Sequence, residues 1–287
     1  MGMGPVKLGS LRVAVLAAAL AAGLSAGFAT PAGARVERVA LPSVDMEAVL
    51  KAAQIDPRRA DSALTPGAGS SVLLVERALV AKGLLAPSYA DGHFGTKTID
   101  AYATYQRSLG YTGIDASGFP GPTSLRLLGE TTYAVTRPVS AGSRVAFRGV
   151  TVNTRTRAMV VEAERLLGRT LGLTQGSYNP GGVAGSAGTH DGGGALDISV
   201  SGMTATTRTA VAKALRRVGF AAWVRTPAQG DWGYHVHAVA INDPDLSSGA
   251  QHQAGDYYLG LNGLANRGPD DGPSVAKVTW EEYQRAR

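Results

Sequence analysis

The sequence predicts an α+β protein, and three observations carry that expectation. Between residues 71 and 128 apolar residues recur at helical spacing, with Val72, Val75, Leu79 and Val80 on one face. Beyond residue 150 the pattern changes, and amphipathic helical stretches alternate with short strand-like runs. Glycine is abundant, at 38 of 287 residues, and turn-rich joints separate the segments. The expected architecture is a small three-helix domain followed by an α+β domain with an antiparallel sheet.

Composition sets the outer limits. Hydrophobic residues make up 44% of the chain, enough for a buried core, and charged residues only 17%. Cysteine is absent. That excludes disulfide scaffolds, thiolate nucleophiles, iron–sulfur clusters and cysteine zinc sites, so any metal must be held by His, Asp or Glu.

The elements follow in order. Lys7 and Arg12 precede the apolar run Val13–Leu24, and Ala32-Gly33-Ala34 supplies small residues after it. This pattern predicts a secretory signal peptide over 1–34, cleaved after Ala34, and a secreted or cell-wall location. The run is short for a membrane span, so no stable membrane insertion is expected. Without Lys7 and Arg12, the only charged residues of that leader, the net charge falls from +6 to +4. A mildly basic exported chain suits anionic wall polymers or membrane surfaces. No basic stripe is interleaved with aromatics, so no nucleic-acid partner is expected.

Residues 35–70 read as an N-terminal segment and linker, with one short helix near Val44–Gln54 and a joint at Thr65–Gly69. Residues 71–130 form the first domain. It holds an internal repeat: Gly92-His93-Phe94-Gly95-Thr96-Lys97-Thr98-Ile99 returns as Gly118-Phe119-Pro120-Gly121-Pro122-Thr123-Ser124-Leu125. Each copy is a tight glycine turn closed by a hydroxyl-capped helix start, with helices expected at Thr98–Leu109 and Thr123–Leu128. A linker at 131–149 precedes the second domain, 150–287.

The second domain should begin with an amphipathic helix over Thr154–Leu167 and a glycine-rich stretch over Gly172–Gly194. A strand at Ala195–Val200, a helix at Thr206–Val218 and strands at Phe220–Arg225 and His235–Ile241 follow. The tail from Ser247 wraps this domain, with His252 in an exposed Gln-rich loop.

Three of the five histidines fall in two short motifs here. In the strand His235-Val236-His237 both imidazoles face one side, roughly 6.5–7 Å apart. One metal ligand plus one neighbouring catalytic group is the natural division. Asp197 lies between Leu196 and Ile198, where a carboxylate is costly unless a cation or hydrogen bonds satisfy it. His190 is seven residues away across three glycines, so both side chains can converge. Two histidines and one carboxylate match a catalytic zinc site with a position left for water, whose pKa such a metal brings to about 7. The plainer alternative is that these are hydrogen-bonded structural residues.

Two resemblances sharpen this reading. Val75-Glu76, Leu79, Asp91–Gly95, Thr98, Tyr105-Gln106, Leu109-Gly110-Tyr111 and Gly118–Leu128 resemble the bacterial peptidoglycan-binding repeat domain, with Glu76 where that family usually has glutamine. The resemblance implies peptidoglycan as a partner. The pattern H-x-x-x-G-x-x-D followed by G-x-H-x-H, here His190, Gly194, Asp197, Gly233, His235 and His237, resembles the M15 group of zinc D,D-peptidases, related to Hedgehog-type and VanX-type domains. That resemblance implies zinc on His190, Asp197 and His237, with His235 assisting at the scissile bond. Two departures stand out. Tyr178 is followed by Asn179 where many members have an arginine after an aromatic, and Tyr234 stands where VanX-type relatives have glutamate.

His235 is therefore the first candidate for the general base and Asp231 the second, with Tyr178 and Asn179 as candidate substrate-binding residues. The expected activity is a zinc metallopeptidase acting on wall peptides, an endopeptidase more than a carboxypeptidase because Asn179 replaces the arginine. The alternative is a non-catalytic peptidoglycan-binding protein with a degenerate peptidase-like domain.

Overall fold

The computed structural model describes residues 40–60 and 63–287; the expected signal peptide at 1–34 lies outside the described residues. The chain begins with β1 (Ser43–Asp45) and α1 (Met46–Ile55), where the Asp45 side chain accepts from Ala48 N–H and caps the helix. Three helices follow, α2 (Gly69–Ala81), α3 (Thr96–Ser108) and α4 (Pro122–Leu128), within two residues of the expected starts for α3 and α4. The chain then forms β2 (Ala134–Thr136), β3 (Arg144–Phe147), β4 (Val150–Asn153) and α5 (Thr154–Leu167). The remainder is β5 (Leu173–Gln175), β6 (Ala195–Ser199), α6 (Ala205–Arg217), β7 (Phe220–Arg225), β8 (His235–Ala240), α7 (Ser248–Tyr258) and α8 (Trp280–Arg285). The result is a mixed helix and sheet structure whose largest sheet is antiparallel, in the order β5-β6-β8-β7.

Alternation along the sheet separates its two faces. Leu196, Ile198, Phe220, Ala222, Val236, Ala238 and Ala240 share a core with Met159, Val160 and Ala163 of α5 and Val211 and Leu215 of α6. The opposite face carries Ala195, Ala221, Trp223 and Val239, which join a second core with Ala250, Ala254 and Tyr257 of α7. That core continues into α1 through Val49 and Leu50 and into the helical unit through Val72, Leu79, Phe94 and Tyr102.

Segment 40–70 is thus more than a linker. β1 pairs in parallel with β2, Val44 opposite Val135. Gln54 on α1 donates to Asn242 Oδ1, and Asn242 Nδ2 returns a bond to Glu47 O at 3.1 Å. Gly255 of α7 lies so close to Gln54 O that a Cβ there would come within 2.0 Å of it. The stretch expected as a Gln-rich loop is the helix α7, capped by the Ser247 hydroxyl, with His252 exposed as expected.

The first copy of the repeat is built around Glu76, and the second is held by Gln106, which accepts from Gly118 N–H and donates to Phe119 O. The buried Glu76 carboxylate accepts from Gly92 N–H at 2.8 Å and from the Thr98 hydroxyl at 2.9 Å, tying α2 to the glycine turn and to the start of α3. Burial pushes its carboxyl up to about 7 against the opposing pull of those two bonds. A raised acid pKa means that the folded state binds the extra proton. The stability it contributes is full below the unfolded value near 4.5 and is lost as pH rises through about 7. Glutamine can accept from Gly92 and donate to Thr98 with no charge to bury. Glu76→Gln should melt several degrees above the parent at pH 8, at roughly 2–4 °C per kcal/mol, with a much smaller gap at pH 5. Thermal melts at the two pH values measure this, and an equal gap at both would contradict it.

Candidate metal centre

Register places the site. Asp197 on β6 lies opposite His237 on β8, which lies opposite Trp223 on β7; one step along, Ser199, His235 and Arg225 align. These positions share the sheet face turned away from α5 and α6. His190 arrives from the loop before β6, and the glycines after it are needed for close approach. A Cβ on Gly192 would meet Asp245 O at 2.3 Å, and Gly194 has φ +77° against Leu246. Gly193 N–H donates to Asp245 O at 2.6 Å, fastening the loop to the segment before α7.

His190, Asp197 and His237 converge, with one ligand atom from each within 4.8 Å of the others. His237 Nδ1 is 2.8 Å from Asp197 Oδ1, and His190 Nε2 is 3.5 Å from the same oxygen. Burial alone would raise the Asp197 carboxyl, but its contacts with His190 and His237 outweigh that and hold it far below the carboxylate range. Burial pushes the His237 imidazole down, against the pull of Asp197.

The outward-facing nitrogens fix how the rings are used. His190 Nδ1 lies 2.8 Å from Gly176 O, which can only accept, so Nδ1 carries the proton and Nε2 turns a lone pair inward. His237 Nε2 lies 2.7 Å from Gln253 Oε1, and Gln253 Nε2 donates to Gly263 O at 3.1 Å. That second bond makes Oε1 the acceptor, so His237 Nε2 is the donor and Nδ1 also points a lone pair inward. Two imidazole nitrogens and a carboxylate oxygen then face one another and need a cation among them, either a shared proton, as in the 2.8 Å hydrogen bond between His237 Nδ1 and Asp197 Oδ1, or a metal ion. The donor set therefore fits a metal ion, and this buried group could hold one. Tetrahedral zinc at 2.0–2.2 Å bonds needs ligand atoms roughly 3.3–3.6 Å apart; His190 Nε2 and Asp197 Oδ1 have that spacing at 3.5 Å, while His237 Nδ1 stands closer to Asp197 at 2.8 Å.

Around the group lies a cavity of about 340 Å³, lined among others by Gln175, Thr189, Arg225, Asp231, Trp232, His235 and Leu264. His235 Nε2 is 3.8 Å from Asp197 Oδ1, while its Nδ1 donates to Gly233 O at 2.9 Å. Its free lone pair is thus on the ring edge nearest the site, and Trp232 lies edge-on at 6.3 Å. Asp231 lines the same cavity from the β7–β8 loop.

Tyr178 and Asn179, the expected substrate-binding pair, do not line this cavity. The Tyr178 hydroxyl donates to Asp245 at 2.5 Å and accepts from Asn153 at 3.2 Å, with Arg144 over its ring. Asn179 closes its own turn, its carbonyl accepting from Gly182 N–H. Tyr178 has φ +58°, its hydroxyl is held by Asn153 at the end of β4 and by Asp245, and the Asn179 N–H donates to His190 O at 3.0 Å. Tyr234 is exposed under Arg208 rather than part of the centre.

Gln253 was not visible as a site residue, because nothing in its spacing marks it. Outer partners of this kind set ring orientation, and their loss typically costs 10–100-fold in metal affinity. Gln253→Ala should weaken zinc binding by about that factor, read in a competition titration with a chromogenic chelator. An unchanged affinity would show that the Gln253 bond does not orient His237. Comparison of the chain with protein-family models, curated proteins and solved structures finds no match.

Proposed function

We propose that the chain is an exported zinc peptidase that hydrolyses peptide bonds in peptidoglycan stems or crosslinks. The observation that carries this reading is the convergence of three lone-pair donors, each oriented by an outer bond or cross-strand register, at the wall of an open cavity. His190, Asp197 and His237 would hold the ion. Zinc there supplies Lewis acidity, polarising a carbonyl and making hydrolytic water available at neutral pH. His235 presents Nε2 beside the group, fixed in that tautomer by Gly233 O. It accepts the proton of the attacking water and returns it to the leaving amine, the ordinary division of labour for a positioned imidazole. Asp231 is the second candidate for that role.

The helical unit and its resemblance to wall-binding repeats support peptidoglycan as the partner, and the signal-peptide pattern supports export. Among the described residues no helix is long and apolar enough to cross a membrane. One observation favours a second reading, a wall-binding protein without turnover: the exposed Tyr234 occupies the position where VanX-type relatives keep their acid. Incubation of the full chain with purified sacculi, followed by mass analysis of released fragments, separates the two. Release that stops with chelator and returns with zinc supports the peptidase. Sacculi left intact by protein carrying one equivalent of zinc support the binding protein.

A further inference from the structure

Three arginines are buried among the described residues. Arg155 forms a forked pair with Glu281 at 2.8 and 2.9 Å, and Arg216 a forked pair with Asp270 at 2.7 and 2.9 Å. Arg225 is only 2% exposed and has no such partner. Its Nη1 donates to Asn262 O at 2.9 Å, its guanidinium lies 4.8 Å from the Trp223 ring centroid, and its Nη2 is buried without a hydrogen bond. A buried guanidinium donor left unpaired is expensive, and such groups persist where something else completes them.

The position of Arg225 is as informative as its lack of a partner. It lines the metal-site cavity. It sits opposite His235, one strand from the β8 histidines and two from Asp197. At about 4.8 Å per strand this is within one or two peptide residues of the metal ligands. The fork of a guanidinium matches a carboxylate, and Arg225, whose side chain lines this cavity, brings a buried Nη2 without a hydrogen bond.

We propose that Arg225 is an anion-binding wall of the cavity that reads a carboxylate of the substrate close to the bond being cut. The inference rests on the peptidase reading for the nature of that substrate. It replaces the argument for an endopeptidase, since Asn179 lies outside the cavity and a cation from β7 lies in it. A peptide chain-end carboxylate and a side-chain carboxylate share the required chemistry, and the free chain end, which every peptide product or stem carries, is the occupant tested first.

The test uses the full chain, with and without zinc, and two probes: N-acetyl-D-alanyl-D-alanine and its C-terminal amide. Calorimetry should show the parent binding the acid about ten- to a hundredfold more tightly than the amide in both metal states. Arg225→Met should bind acid and amide equally while keeping the parent's zinc stoichiometry. Arg225→Lys, which keeps the charge but not the fork, should lose most of the preference and serves if the methionine variant does not fold. An acid preference that survives in Arg225→Met overturns the proposal. A parent with no preference between these probes, but with one for a peptide carrying a side-chain carboxylate that Arg225→Met abolishes, keeps the anion wall and moves the carboxylate off the chain end. No preference with either kind of probe overturns it. The two readings fail separately: intact sacculi with an Arg225-dependent preference remove the peptidase alone, and cut sacculi with an Arg225-independent preference remove the anion wall alone.

Discussion

His190→Ala should empty the metal centre. Elemental analysis is expected to fall from about one zinc per chain to near zero, and hydrolysis of sacculi should fall by roughly a thousandfold, about 4 kcal/mol of barrier. The size of the effect follows from the donor set. His190 is one of only three converging ligands, and its Nδ1 bond to Gly176 O orients the lone pair that is lost. Removing it leaves Asp197 and His237, two ligands where catalytic zinc sites use three. His190 also helps hold the glycine loop, so melting curves should accompany the metal measurement. A folded His190→Ala protein that keeps full zinc would sink the assignment.

His235→Ala is expected to do the opposite to metal and the same to turnover. Zinc should stay at one equivalent, because His235 Nε2 stands 3.8 Å from Asp197 Oδ1 and outside the converging group. Hydrolysis should fall by roughly 10²–10⁴-fold, the usual worth of a positioned proton-transfer group. Asp231→Ala should cost less at full zinc. If activity instead tracks zinc occupancy across a titration of His235→Ala, His235 is a ligand. If Asp231→Ala loses more than His235→Ala at full zinc, the order of the two bases is reversed.

Much of the fold could be read from local pattern. α5, β7 and the start of β8 fall where the local pattern places them: α5 buries one face and an amphipathic repeat records it, while β7 and β8 are buried on both faces and read as short apolar runs. The pairing of His235 with His237 on one face follows from the same two-residue period. The cost of a carboxylate between Leu196 and Ile198 singled out Asp197. What could not be read was how distant segments meet. α7 has weak amphipathicity and glycine in its interior, so it resembled a loop until packing against α1 and the sheet made it a helix. Tyr178 and Asn179 are candidates by the family resemblance, from the aromatic–arginine position of zinc D,D-peptidases, but neither lines the cavity, and the Tyr178 hydroxyl is bonded to Asp245 and Asn153.

Gln253 and Arg225 show the same division at the level of chemistry. Composition establishes that any metal here rests on His, Asp or Glu, with no thiolate to share it, and the resemblance to zinc D,D-peptidases, not spacing alone, points to His190, Asp197 and His237. Which imidazole nitrogen faces inward is decided by Gly176 O and by Gln253, contributed from a loop and a helix that no periodicity joins. Arg225 looks in the sequence like Arg155 or Arg216. It differs only because those two meet carboxylates from the C-terminal segment and it meets none, and whether a buried charge finds its counter-charge is a property of three-dimensional neighbours, not of the order of residues along the chain.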